Sequence, residues 1–214
     1  MARLGQQLST KRVKAAAQLG PKIMRQLKEL GMAEATLSVR VESNTIHEAS
    51  ATGLDRVDFL ARTNPGQDER PLREIASGGE LSRVMLAIKS VLSSKQKGNA
   101  TTGVDVLVFD EIDANIGGRL GDIIGRKLRE LAASKTSDKQ ILCITHLPQI
   151  AAFADQHFHI VKEVTGTGKA KRTDTTVQTL KGKDRVRELA EMLAGTGATA
   201  TSRRQAKELI AAAA

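Results

Sequence analysis

The sequence predicts an α/β fold of mainly parallel buried strands with helices, joined to an antiparallel β part. Two short apolar runs and one alternating run carry this reading. Residues 106–109 (Val-Leu-Val-Phe) are apolar without alternation and rich in β-branched or aromatic types, the mark of a strand covered on both faces. Residues 141–145 repeat that pattern around Cys143. Residues 36–42, in contrast, place Leu37, Val39 and Val41 on one face with polar residues between, and residues 54–61 offer a second such strand. That alternation predicts antiparallel strands with one wet face.

With 214 residues the chain is long enough to bury about 70% of its unfolded surface. Only 2% of residues are aromatic, with no Trp or Tyr, so the core rests on Leu, Ile, Val and Ala. A stacking platform for single-stranded nucleic acid is therefore disfavoured. Lys and Arg outnumber Asp and Glu by 33 to 24, a net charge of +9. This favours an acidic partner such as DNA, contacted through phosphates. The single cysteine, Cys143, excludes an internal disulfide and fits a reducing compartment. Within an apolar strand pattern it reads as a small buried hydrophobe rather than a reactive thiol. No apolar stretch has the length of a membrane span and no signal-peptide pattern opens the chain, so a cytoplasmic protein without a membrane partner is expected.

From the N-terminus, Leu4, Leu8, Ile23, Leu27 and Leu30 recur at helical spacing, and Gly20-Pro21 is expected to break or kink that helix. The pattern begins without a cap and its polar face is wide. Both points suit one arm of a coiled coil, although an ordinary amphipathic helix has the same signature. Asn64-Pro65-Gly66 marks a turn.

Ser77-Gly78-Gly79-Glu80 then opens a helix whose apolar face is Leu81, Val84, Met85, Ile88 and Leu92. Ser77 and Glu80 have capping-box spacing. A cap alone does not explain two glycines in a first turn, where each costs about 1 kcal/mol against alanine. Bare glycines there let phosphate oxygens approach the N–H groups of a helix N-terminus. After a polar linker, the strand at 106–109 stops at two adjacent carboxylates, Asp110 and Glu111. Ligands of parallel sheets bind beyond such carboxyl ends. A carboxylate there can hold Mg²⁺ and a second can orient an attacking water.

A loop, residues 112–118, leads into a helix with Leu120, Ile123, Ile124, Leu128 and Leu131 facing inward. The strand at 141–145 ends at His146, placing an imidazole at a second strand end. Residues 157–163 and 172–180 predict a hairpin around Gly166 and Gly168. His157 and His159 share one of its faces, but no third metal ligand is evident. Helices follow at 184–193, stopped by Gly195-Thr196-Gly197, and at about 202–210, before an alanine-rich tail expected to fray.

In order, then, the chain offers Ser77-Gly78-Gly79-Glu80, Asp110-Glu111-Ile112-Asp113 through Gly117-Gly118-Arg119, and Cys143-Ile144-Thr145-His146-Leu147-Pro148-Gln149. This set resembles the second half of an ABC-type ATPase head, with signature motif, Walker B strand, D-loop and switch histidine. In detail, including residues 64–66, 76–83 and 185–193, it resembles the RecN family of bacterial DNA repair proteins, relatives of the SMC proteins. The resemblance implies the C-terminal lobe of such a head. Residues 1–32 would be the end of a returning coiled-coil helix and residues 33–214 the lobe itself. Asp110 would help hold Mg²⁺, Glu111 would orient or activate water, and His146 would sense the γ-phosphate. Ser77, Gly78, Gly79 and Glu80 would bind ATP held on a second head, with Asp113 and Asn115 lining the interface between heads. No G-x-x-x-x-G-K-[ST] phosphate loop occurs in the sequence. The resemblance puts that loop in an N-terminal lobe of the same protein, so that lobe, a second head, DNA, ATP and Mg²⁺ are the implied partners, at the nucleoid. A non-catalytic DNA-binding or scaffolding fragment is the alternative. An ABC transporter subunit fits less well, because Glu80-Leu81-Ser82-Arg83 and the incoming helix are SMC-like.

Overall fold

The computed structural model describes residues 2–45, 50–93, 106–133, 139–165 and 171–214. The start of the predicted central strand at Val104 and Asp105, most of the polar linker before it and the glycines of the predicted hairpin turn lie outside them. The chain forms two compact units. One comprises residues 1–116 and 130–144, the other residues 117–129 and 145–214.

In the first unit, α1 (Ala2–Glu29) runs along β1 (Thr36–Ser43), which pairs antiparallel with β2 (Asp55–Arg62) in the register Thr36↔Arg62 to Ser43↔Asp55. A two-residue β3 (Arg70–Pro71) extends this sheet. Of the break or kink expected at Gly20-Pro21, the break does not occur: α1 passes through Pro21. Proline removes one helical hydrogen bond. Ile23, Leu27 and Leu30, all fully buried, compensate on the following turns. Gly20 lets α1 come close to the sheet, since an added Cβ would lie 3.2 Å from the Leu37 carbonyl oxygen.

A polar latch holds the first half of α1. The Asp55 carboxylate accepts hydrogen bonds from the hydroxyls of Ser9 and Ser43 (2.7 Å for Ser43) and from the Arg12 guanidinium at 2.8 Å. Arg12 also donates to the Thr52 carbonyl at 2.7 Å. The two hydroxyls, then Arg12, lower the Asp55 pKa to about 2. A depressed carboxylate pKa stabilises the fold above the unfolded-state value and stops doing so as pH falls through the folded value. Asp55→Asn should therefore lower the melting temperature at pH 7. The difference from wild type should shrink as pH drops from about 4 towards 2. Thermal melts across that range check it.

α2 (Gly78–Ser93) follows a single 3₁₀ turn at Leu72–Glu74. It buries Val84, Leu86, Ala87, Ile88 and Val91, while Met85 and Leu92 of the expected face are 36% and 45% exposed. The covered face is thus rotated from the predicted stripe. Leu81 and Met85 instead line an open cavity of about 210 Å³ with Leu107, Val108 and Phe109.

β4 (Val106–Phe109) and β5 (Gln140–Cys143) form a parallel pair, Val106↔Gln140 to Phe109↔Cys143. The α/β class expected from the sequence is the class observed. Its balance differs, because this pair is the parallel part among the described residues and the longer strands are antiparallel. The expected cover on both faces is also incomplete. Phe109 is buried, yet Val106, Val108, Leu142 and Ile144 are 42–62% exposed. Apolar residues on both faces of a strand call for cover on both, and here one face stays open.

The second unit contains most of α3 (Gly118–Ala132), then α4 (Pro148–Ala151), the antiparallel pair β6 (His157–Thr165) and β7 (Arg172–Leu180), and helices α5 (Gly182–Ala194) and α6 (Ala200–Ala213). Leu189, Ala190 and Ala206 are fully buried together with Ala151. Gly195, at φ +76°, ends α5 as expected, and the Thr199 hydroxyl caps α6 through the Ser202 N–H at 3.2 Å. The alanine-rich tail continues α6, and Ala213 is buried. Arg185 ties α5 to the end of α4 by donating to the carbonyls of Ala151, Ala152 and Ala154. His159 Nδ1 lies 3.0 Å from Glu188, whereas burial, then Arg185 and His159, push the His157 pKa down.

Candidate functional site

Ser77 begins the site as a helix cap. Its hydroxyl accepts from the Glu80 N–H at 3.4 Å, and its carbonyl accepts from the Leu81 N–H at 3.0 Å. Only half of the expected capping box forms, because the Glu80 carboxylate accepts from Asn64 Nδ2 at 3.4 Å instead. The turn at residues 64–66, with Gly66 at φ +81°, delivers that amide. Glu80 thus joins the turn to the helix start.

The loop after β4 packs on this helix start. The Asp110 carboxylate accepts from the Glu111 N–H at 2.9 Å, and the Ala114 N–H donates back to the Glu111 carbonyl at 2.9 Å. Glu111 and Asn115 have positive φ, 55° and 59°. A left-handed non-glycine residue costs roughly 1–3 kcal/mol and persists only where its surroundings fix it. Two side chains of α2 do so here. Ser82 Oγ donates to the Asp110 carbonyl at 2.7 Å, and Arg83 Nη1 donates to the carbonyls of Ile112 (3.2 Å) and Ala114 (3.1 Å). Arg83 is 8% exposed; burial lowers its pKa and Glu80 opposes the shift.

The two glycines gain a role that the sequence did not suggest. An added Cβ on Gly79 would come within 2.8 Å of both Ala114 Cβ and the Glu111 carbonyl oxygen. One on Gly78 would collide with the Glu111 carboxylate. The close approach of the acidic loop is therefore a reason for glycine independent of any phosphate. Arg83 and Ser82, which hold the loop, were missed as site residues. The available signal was an arginine four residues after Gly79, on the helix face that also carries Leu86 and Ala87.

The first unit thus brings together Ser77, Gly78, Gly79, Glu80, Asp110, Glu111, Asp113 and Asn115. Asp113 is buried, whereas Asp110, Glu111 and Asn115 are exposed. His146 belongs to the second unit, in the bend between β5 and α4, where the Thr145 hydroxyl accepts from the Leu147 N–H at 3.0 Å. Burial, and then the charges of Asp113 and Asp110, push the Cys143 thiol up to about 12, which keeps it protonated and inert.

No cluster of three or more His, Cys, Asp or Glu residues able to hold a metal occurs among the described residues. Mg²⁺ bound with a nucleotide asks for less: one or two carboxylates, with phosphates and water completing the octahedron. Asp110, exposed and oriented by the Glu111 N–H, fits that demand. Among the described residues no helix is long and apolar enough to cross a membrane.

No protein-family model matches the sequence. Curated relatives do. The DNA repair protein RecN of Rickettsia bellii is 41% identical over 208 residues, covering 97% of this chain and 35% of that protein. RecN of Treponema pallidum is 41% identical over 212 residues, and that of Bacillus subtilis 38% identical over 208. The chain spans about a third of the length of these relatives. Among solved structures, the Smc head domain of Pyrococcus furiosus with an extended coiled coil aligns with 90% of this chain and 42% of its own. Its 16% identity and TM-score of 0.48 make a likeness too loose to build on. Over nearly its whole length, the chain corresponds in sequence to the C-terminal part of the DNA repair protein RecN.

Proposed function

We propose that this chain is the C-terminal lobe of an SMC-like ATPase head that acts in DNA double-strand break repair and recombination. The observation that carries the reading is the packing of the Asp110–Asn115 loop onto the Ser77–Glu80 helix start within one unit. Asp110 holds Mg²⁺, which supplies charge neutralisation at the phosphates. Glu111 orients the attacking water. Ser77 and the N–H groups at the start of α2 receive the γ-phosphate of ATP carried by a second head, and Asp113 and Asn115 border that contact. His146 senses the γ-phosphate. The phosphate loop comes from an N-terminal lobe. The exposed apolar face of Val106, Val108, Leu142 and Ile144 supports such a neighbour, and α1 would continue as a coiled-coil arm. ATP then joins two heads and hydrolysis parts them.

Calorimetry with Mg-ATP tests the division of labour. This chain alone should show no micromolar binding, because no phosphate loop is present. Micromolar affinity would contradict the half-site.

DNA is the proposed partner of the basic surface. The second unit holds 15 Lys and Arg against 8 Asp and Glu, so it accounts for +7 of the net +9, whereas the first unit holds 18 against 16. Binding should be sequence-independent and should weaken steeply between about 50 and 200 mM salt. Anisotropy titrations with duplexes of unrelated sequence check it. A flat salt response would remove DNA as the partner. The reading places the protein in the cytoplasm, at the nucleoid.

A further inference from the structure

Gly78 and Gly79 adopt no positive φ. Glycine is therefore not needed at either position for its backbone freedom; what counts is the missing side chain. At Gly79 the space is filled by main chain and a methyl group, the Glu111 carbonyl oxygen and Ala114 Cβ. At Gly78 it is filled by one side chain along its length. An added Cβ would collide with Glu111 Oε2, lie 3.2 Å from Cδ and 3.9 Å from Cβ of the same residue. The two glycines thus seat one residue, Gly79 its backbone and Gly78 its carboxylate. Among the described residues no side chain gives the Glu111 carboxylate a hydrogen bond, and the surface it lies against is the bare face of Gly78.

We propose that Gly78 is a positioning residue for Glu111 of the same chain, in addition to any contact with a nucleotide on a second head. This rests on the reading of Glu111 as the residue that orients water. The consequence is a link between the two halves of the site. Whatever settles on the start of α2 meets the Glu111 carboxylate at Gly78, so occupancy there and the direction of the carboxylate are not independent.

The experiment uses the chain joined to its phosphate-loop lobe and compares Gly78→Ala, Glu111→Ala and the double variant. Gly78→Ala should lower kcat about 10- to 100-fold, the scale expected when a reacting group is displaced by about 1 Å. Glu111→Ala should show ATP-dependent head pairing without turnover, and adding Gly78→Ala should disturb that pairing less than Gly78→Ala does beside an intact Glu111. Melting curves supply the structural arm: Gly78→Ala should melt close to wild type, because the exposed Glu111 side chain can swing away from an added Cβ, so that the loss in kcat is not a loss of fold. Should Gly78→Ala fail to fold, rescue by Glu111→Ala supports the proposal and absence of rescue overturns it. It is also overturned by wild-type kcat in Gly78→Ala, or by pairing lost equally in both backgrounds. Normal turnover in Glu111→Gln has a different meaning: it removes Glu111 from the reaction, and the underlying reading fails.

Discussion

Glu111→Gln in the completed protein binds ATP normally and loses turnover by about 100-fold or more, the scale of a lost general base or water-orienting group. The amide preserves shape, so the contact with Gly78 and the left-handed turn at Glu111 both survive. What disappears is the charge. With hydrolysis stopped and ATP bound, paired heads accumulate, visible as a larger species on a sizing column that needs Mg-ATP. Steady-state turnover and the elution profile together make the test. Turnover at the wild-type rate would take Glu111 out of catalysis.

Ser77→Asp is the second substitution with a large expected effect, and it separates two roles of one side chain. The hydroxyl caps α2 through the Glu80 N–H. As a cap alone, Ser77→Ala would cost about 0.5–2 kcal/mol. Asp would be nearly harmless, since it caps well and its charge suits a helix N-terminus. If a γ-phosphate from a second head arrives here, Asp sets a negative charge against it. The expected outcome is a protein that stays folded but has lost ATP-driven pairing and hydrolysis. The neighbouring Glu111 carboxylate sharpens the case, because Ser77→Asp adds a further negative charge to a helix end that already carries Glu80 and Glu111. A melting curve beside an ATPase assay decides it. Wild-type stability with wild-type turnover would return Ser77 to a plain cap.

Much of the local structure was legible in the residues. Leu37, Val39 and Val41 located β1, the apolar run to Phe109 located β4, and Gly195 marked the end of α5. These signals are local: alternation, continuous apolarity and a backbone that needs positive φ. What was not legible depends on contacts distant in sequence. Pro21 was expected to break or kink α1; the helix does not break, since Ile23, Leu27 and Leu30 packed in the interior outweigh one lost hydrogen bond. The stripe on α2 was read as Leu81, Val84, Met85, Ile88 and Leu92; Val84 and Ile88 are buried, but Leu86, Ala87 and Val91 are buried where Met85 and Leu92 were expected, a face set by the helix's neighbours.

For the site, composition and order pointed to Ser77, Asp110 and Glu111, but not to how they meet. Nothing in the spacing says that Glu111 is left-handed, that Arg83 reaches the Ile112 and Ala114 carbonyls, or that Gly78 faces a carboxylate. The glycines were assigned to phosphate on chemical grounds. The structure adds a second and purely steric reason for them.

The most direct measurement is ATP turnover when this chain is combined with a lobe bearing the phosphate loop. Neither part should hydrolyse ATP alone, the mixture should, and Glu111→Gln in this chain should abolish the gained activity. Turnover by this chain alone, or a mixture indifferent to Glu111→Gln, would contradict the account.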